Sequence, residues 1–205
     1  MMKLRRILPS SAVLGLLIGV SSAFATTVVQ PTFDRLVGTS DYIVRATVKS
    51  IESEWRDNAV RPGERYIGSK VTLEVHDVIK GNPPSPLVLD LVGGKVGKEE
   101  LVMEGAPKFT VGQESILFVS GNGTNFFPVN SLMHGFFPIQ HDARTGSDRV
   151  LRYDGHLLYS TSELDPTASA VAPTHSASDR AMTPDAFRDR IQQQQNDLNT
   201  REKLR

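Results

Sequence analysis

The chain contains no cysteine among its 205 residues. This absence excludes a disulfide framework, so the stability of the protein must come from its packed core. It also excludes a thiolate nucleophile and any zinc site that needs cysteine ligands. A cysteine that could be acylated, as in a bacterial lipoprotein, is lacking as well.

An excess of charge of one sign is also lacking, because the chain has 23 basic and 23 acidic residues. Three of the basic residues lie within the first six positions and no acidic residue precedes position 26, so residues 26–205 carry 20 basic against 23 acidic side chains, a formal charge of −3. This balance offers no general electrostatic attraction to nucleic acid or to an anionic membrane surface. We therefore expect no nucleic-acid partner.

Long apolar runs are missing too, and the apolar run near the N-terminus is short. Residues 12–20 are apolar, but roughly nine residues are too few to span a bilayer, which takes ~20. The basic start, this apolar run and the small residues Ala23 and Ala25 together are typical of a secretory signal peptide. We predict a signal peptide over residues 1–25, cleavage before Thr26, and a secreted mature chain without membrane insertion. A cysteine-free exported protein fits the periplasm or exterior of a bacterium.

The mature chain is rich in short segments with the period of β-strands. Between Tyr42 and Val48 every second residue is apolar, and Ile51 then falls on the opposite parity, which indicates either a β-bulge or the start of a second buried face. The connections are too short for the helical crossovers of a parallel sheet, so the sheet should be antiparallel. A short helical turn precedes it at residues 32–41. The predicted strands are residues 42–53, 67–80, 87–92, 101–103, 115–120, 126–129, 135–141, 148–153 and 156–160.

We therefore predict an all-β domain over residues 26–160. Closing the sheet into a small antiparallel β-barrel is the economical way to avoid exposed edges, and a sandwich is the alternative. The predicted inward-facing residues are Val44, Val48, Val71, Leu73, Val75, Leu89, Leu91, Leu117 and Phe118.

The C-terminal part has a different composition. Residues 161–182 are rich in Ser, Ala, Pro and Thr and are predicted to form a surface linker. Residues 183–205 should form a helix, because Thr183 can act as its N-cap and a proline follows. Its apolar stripe is narrow, so we expect Phe187 and Ile191 to dock on the β domain and the last ten residues to be exposed and mobile.

Several residue sets could carry chemistry, but each has a simpler explanation. The glycine-rich residues 92–97 follow a strand, yet no helix follows to bind phosphate, so a hairpin tip or barrel corner is favoured. A metal site could be assembled only from His134, His141, Asp142 and His156, and these are better explained as polar residues at strand ends.

A catalytic triad and an acidic pair are weaker still. Ser131, His134 and Asp154 could form a Ser-His-Asp triad by residue type, but no nucleophile-elbow motif surrounds Ser131. Glu99 and Glu100 are adjacent, so on a strand they point to opposite faces. We therefore assign no catalytic, cofactor-binding or metal-ligating residues and predict no cofactor.

The aromatic residues are better explained as core than as a binding surface. Two doublets, Phe126-Phe127 and Phe136-Phe137, stand out because one member of each should face outward or into a second layer. An exposed aromatic patch for a partner or ligand is the alternative.

Motifs between residues 33 and 137 resemble those of a family of small exported bacterial proteins. Through these, the chain is similar to the five-stranded barrels of the netrin-like and tissue-inhibitor-of-metalloproteinases group, a variant of the OB-fold. The resemblance implies an OB-like barrel. It rests on residues 40–44 (SDYIV), 53–55 (SEW), 75–81 (VHDVIKG), 105–109 (GAPKF), 111–114 (VGQE), 116–118 (ILF) and glycines at positions 93, 94 and 97.

The metalloproteinase inhibitors of that group bind the catalytic zinc through an N-terminal cysteine. The mature chain would begin Thr26-Thr27 and has no cysteine, so no inhibitory residue is transferred. We expect an exported, non-enzymatic binding or accessory module whose partner is a protein, peptide or glycan. The alternative is an inhibitor or chaperone-like partner of a secreted protease. A hydrolase that uses His134, His141 or His156 is the least favoured.

Overall fold

The computed structural model describes residues 30–143, 146–166 and 180–204. The predicted signal peptide and residues 167–179 of the predicted linker lie outside the described residues. In chain order the elements are α1 (Phe33–Thr39), β1 (Tyr42–Asp57), β2 (Arg65–Lys80), β3 (Leu87–Val92), β4 (Gly94–Val96), β5 (Glu99–Leu101), β6 (Glu114–Val119), a 3-10 turn (Leu132–Gly135), β7 (Phe136–Asp142), β8 (Ser147–Val150), a second 3-10 turn (Thr161–Leu164) and α2 (Pro184–Lys203).

The fold is a six-stranded sheet in the order β3-β2-β1-β6-β7-β8, with β4 and β5 forming a separate hairpin. Every pair of neighbouring strands is antiparallel. The prediction of a mainly antiparallel β domain with a C-terminal helix is therefore confirmed. Two predicted strands are reduced to single bridges, since residues 126–129 and 156–160 pair only at Val129 and Leu157.

The sheet is not closed into a barrel, because no ladder joins β3 to β8 among the described residues. The outer edge of β3 is instead covered by the loop that follows β6. The side chain of Asn122 donates to the carbonyl of Val88 and accepts from the amide of Asp90, and the amide of Val92 donates to the carbonyl of Phe126. These bonds satisfy backbone groups that barrel closure would otherwise use.

Strand β1 contains the bulge that the parity of Ile51 predicts. Lys49 has no residue opposite it in β2, since the register passes from Val48 to Ser50 across that point. The extra residue reverses the alternation, so Ile51 packs with Val48 against the same core and Ser53 faces the same side. This bulge places the second half of β1 in the site described below.

The sheet is buried on both faces, which the parity of Ile51 and the aromatic doublets indicated only in part. Leu117 and Phe118 are adjacent in β6, and both are buried, but in different cores. The predicted inward residues are all buried except Val75, which is half-buried, yet they do not share one interior. The helix-side core contains Phe33, Leu36, Val37, Ile43, Ile79, Ile116, Phe118, Phe137, Val150, Leu158, Leu164, Phe187 and Ile191. The groove-side core contains Tyr42, Val44, Ala46, Val48, Val71, Leu73, Leu87, Leu89, Leu91, Leu117, Val119, Val129 and Phe136.

Helix α2 covers the helix-side core as predicted, with Phe187 and Ile191 fully buried. The helix continues to Lys203, and most of its last turns are exposed. Two contacts hold this end: Leu198 is half-buried against the core, and Arg201 donates to Asp34 of α1. No helix in the described ranges is long and apolar enough to cross a membrane.

The first residues of the predicted linker are part of the packed domain. Thr161–Leu164 form a 3-10 turn with a capping box, in which the side chains of Ser160 and Glu163 bond each other's backbone amides. Leu164 is buried in the helix-side core.

Candidate binding groove

A groove of about 330 Å³ lies on the open side of the groove-side core. Its floor is formed by β1, β2 and β3, and its cover is formed by the β4–β5 hairpin and the loop at residues 102–109. The lining is mainly apolar. Ile51, Val71 and Leu91 belong to the floor, and Met103 and Phe109 belong to the cover. The size and the lining are those of a small-ligand or side-chain pocket.

The hydroxyl groups of two serines lie in this otherwise apolar floor. Ser53 and Ser69 lie directly opposite each other on β1 and β2, with their Oγ atoms 2.8 Å apart. The hydroxyl of Ser69 donates to the carbonyl of Gly93 at 2.6 Å. A hydroxyl has a single proton, so Ser53 must be the donor in the bond between the two serines. The amide of Lys95 donates to Ser53 at 3.4 Å.

Gly94 allows the hairpin to lie directly against these serines. A Cβ atom at this position would stand 2.1 Å from the Oγ of Ser69 and 2.5 Å from that of Ser53. The φ angle of Gly94 is +134°, a conformation that favours glycine. Residues 92–97 thus end β3 and start the β4–β5 hairpin, in agreement with the hairpin prediction.

Exposed apolar side chains extend the groove at its mouth. Val102 is 63% exposed and Leu101 is 37% exposed, and both line the groove. Phe126 is 75% exposed, and its neighbour Phe127 lines the groove, so the first aromatic doublet splits between solvent and a wall. Exposed apolar side chains at the mouth of a groove indicate a site for a partner.

The second doublet is buried on opposite faces of the sheet. Phe136 belongs to the groove-side core and Phe137 to the helix-side core. Phe136 meets the ring of Phe109 edge-on at 5.4 Å, which ties the covering loop to the core.

The histidines considered as metal ligands are not brought together. The described residues contain no group of three or more His, Asp or Glu side chains arranged to hold a metal ion. His141 bonds Asp148 through Nδ1 at 2.8 Å, whereas His134 packs edge-on against Tyr153 with ring centroids 4.9 Å apart. His156 is tied to Asp154 through its backbone amide.

Ser131, His134 and Asp154 are not arranged as a catalytic triad. The hydroxyl of Ser131 donates to Asn130, and the contact between Ser131 and His134 runs through their backbones. Asp154 accepts from Arg152 instead. Glu100 stands opposite Lys95 in the hairpin, and Glu99 opposite Val96, so the two carboxylates belong to successive rungs.

The sequence analysis missed Ser53 and Ser69 as functional residues. Ser53 follows Ile51 by two residues, and Ser69 lies between Ile67 and Val71, so each occupies a position where the alternation predicts an apolar residue. That departure is the signal that could have identified them. The pairing of the two serines depends on the register between β1 and β2, and single-strand patterns do not contain it.

Burial of His134 gives the fold a pH dependence. Burial lowers the pKa of His134 below its ordinary value of 6.5, because the charged form loses hydration. The unfolded chain then binds a proton that the folded chain resists, so stability falls as the pH drops below about 6.5. Between about pH 7.5 and 5.5, urea unfolding should show a larger loss of stability for the unsubstituted protein than for His134→Gln. Equal losses would contradict this assignment.

Comparison with protein-family models finds no match, and comparison with curated proteins finds none either. The assignment of a function therefore rests on the groove itself.

Proposed function

We propose that the protein is an exported, non-enzymatic binding module and that the groove under the β4–β5 hairpin is its binding site. The observation that carries this proposal is the apolar groove, whose lining residues Leu101 and Val102 are exposed at the rim, with the exposed Phe126 next to the lining residue Phe127. A rim of this kind suits a polypeptide partner, because it extends the contact beyond the volume of a small molecule.

The chemistry of the groove supports binding over catalysis. Its titratable lining side chains are Lys95, Glu100 and Lys108, which are all exposed at the rim. The floor hydroxyls are bonded to each other and to a backbone carbonyl, so no general base activates either of them.

A second cleft, between α1 and α2, is less suited to binding a partner. Its volume is about 440 Å³, but much of its lining consists of long polar side chains of α2, including Gln195, Arg201 and Glu202. The floor of the groove, in contrast, is a hydrogen-bonded sheet.

The motif likeness to netrin-like barrels supports the same function. Small barrels of the OB type hold their ligands with loops and one open face of the sheet. We propose that this chain is an open relative of such barrels and acts in the periplasm or outside a bacterial cell. Intact mass of the exported protein should correspond to a chain that begins at Thr26. An inhibitor or chaperone-like partner of a secreted protease would use the same groove.

A bulky side chain in the groove should abolish binding. We expect random seven-residue peptides displayed on phage to be enriched on the unsubstituted protein and not on Ala106→Trp, because Ala106 lines the groove from the cover. Ala59→Trp is the matched control, since Ala59 is exposed at the β1–β2 turn. Equal enrichment of the same peptides on Ala106→Trp would overturn the proposal.

A further inference from the structure

The hydrogen bonds of the groove floor define what it can bind. We propose that the groove holds an aromatic side chain that carries a hydrogen-bond donor, tryptophan or tyrosine, presented by a partner polypeptide with a carboxylate close to it. This inference rests on the proposed binding function and specifies its ligand.

The two hydroxyls of the floor can accept a hydrogen bond from a ligand but have no proton free to donate one. The hydroxyl proton of Ser69 is bound to the carbonyl of Gly93, and the hydroxyl proton of Ser53 is bound to Ser69. Ser53 already accepts from the amide of Lys95, and Ser69 accepts from Ser53, so each oxygen keeps one of its two lone pairs for a further donor. Ser69 is only 3% exposed, whereas Ser53 is half-buried and is therefore the acceptor that a ligand reaches.

Because the floor hydroxyls only accept, the groove should prefer ligands that carry a hydrogen-bond donor. A carbonyl or carboxylate at the floor would face oxygen atoms that have no proton left to donate, and its desolvation would be uncompensated. An aliphatic or phenylalanine side chain would fit but make no hydrogen bond. An indole N–H is a donor only, and it stands at the edge of a large apolar ring. Tryptophan and tyrosine are also the side chains most often used as anchors at protein interfaces.

The charge at the mouth favours a neighbouring carboxylate. Lys95 and Glu100 stand opposite each other in the β4–β5 ladder, and together they add no net charge to the mouth of the groove. Lys108 also lines the groove, and it forms no ion pair with any described residue. A partner carboxylate next to the aromatic anchor would complement this lysine.

The first test compares two probes that differ in the donor alone. N-acetyltryptophanamide and its 3-benzothienyl analogue, in which sulfur replaces the indole N–H, are titrated into the ¹⁵N-labelled protein. We expect the amide signals of the hairpin and of residues 102–109 to shift with both probes. Binding of the indole should be about three- to tenfold tighter, the usual contribution of one hydrogen bond.

Variants locate the acceptor. Ser53→Ala should bring the two affinities to within about twofold of each other. Ser50→Ala, on the same strand but outside the groove lining, should preserve the difference. The comparison of the two probes on the unsubstituted protein decides the issue even if Ser53→Ala fails to fold.

The carboxylate is tested in the same way. N-acetyltryptophan, which has a free carboxylate, should bind about two- to fivefold more tightly than its amide at low salt. Lys108→Ala should remove this preference, and Lys98→Ala, at the exposed turn of the hairpin, should not.

The outcomes separate this inference from the proposed function. Equal binding of the indole and the benzothienyl probe, with groove shifts, overturns the donor preference but leaves the groove as a binding site. The absence of groove shifts with every probe at about 10 mM overturns the inference, because a side-chain anchor should bind at least in that range. The phage selection with Ala106→Trp then decides on the groove itself.

Discussion

Phe187→Ala is expected to lower the free energy of unfolding by about 3–5 kcal/mol, the usual cost of truncating a fully buried phenylalanine. The ring is completely inaccessible to solvent and joins α2 to the sheet. Its centroid lies 4.9 Å from that of Phe137, and 6.1 Å from those of Phe33 and Phe118. Truncation would leave a cavity among three rings that the rigid sheet cannot fill.

Urea unfolding of the unsubstituted protein and the variant measures this change. Phe126→Ala is the matched control, because the Phe126 ring is 75% exposed and its loss should change stability by less than about 0.5 kcal/mol. A loss below about 1 kcal/mol for Phe187→Ala would contradict the docking of α2 on the sheet.

Leu73→Ala should cost about 2–5 kcal/mol in the other core. Leu73 is 4% exposed and lies between Val48 of β1 and Leu87 of β3 in the sheet register. The groove is built on this core, so the variant should also weaken binding of N-acetyltryptophanamide.

The control for Leu73→Ala is Leu204→Ala, since Leu204 is 83% exposed. Urea unfolding should separate the two variants clearly. A cost below about 1 kcal/mol at Leu73 would mean that this strand faces the other way, because a shift of one residue exchanges the two faces.

The alternation of apolar and polar residues predicted most of the sheet, and the exceptions have physical causes. The strand at residues 87–92 was predicted within its observed bounds, because a short apolar run between turn residues has few other interpretations. The closed barrel was not confirmed. The side chain of Asn122 occupies the edge of β3, and such a side-chain bond leaves no periodic signal in a sequence.

The two-sided burial of the sheet was only partly readable from the sequence. Ile51 breaks the alternation of β1, which indicated an irregularity in that strand. The structure shows that Lys49 is unopposed in β1, and that Ile79 turns into the helix-side core. The face to which each segment belongs depends on such bulges, and their positions are fixed by register and not by local pattern.

The C-terminal helix was predicted well because its signals are local. Thr183 caps the helix by accepting from the amide of Ala186, and the spacing of Phe187 and Ile191 defines one buried face. The contacts of Leu198 and Arg201 with the first helical turn could not be predicted, because they depend on how two elements far apart in sequence are placed.

The candidate site was the least predictable part. It is formed by β1, β2, β3, the hairpin and a loop, and its polar floor requires Ser53 and Ser69 to be paired across strands. The sequence offered histidines and carboxylates as candidates, because those residue types carry chemistry on their own. Here the distinctive feature is the direction of hydrogen bonds among common residues, which only the folded arrangement defines.

A chemical-shift map of the ¹⁵N-labelled protein with a peptide selected on it tests directly whether the groove is the binding site. Binding in the groove predicts the largest amide shifts at residues 91–109 and 126–127, with α2 unchanged. The same peptide should leave the spectrum of Ala106→Trp unaltered at these positions. Largest shifts on α2 or along β7 and β8, with the groove amides unmoved, would show that the groove is not the binding site.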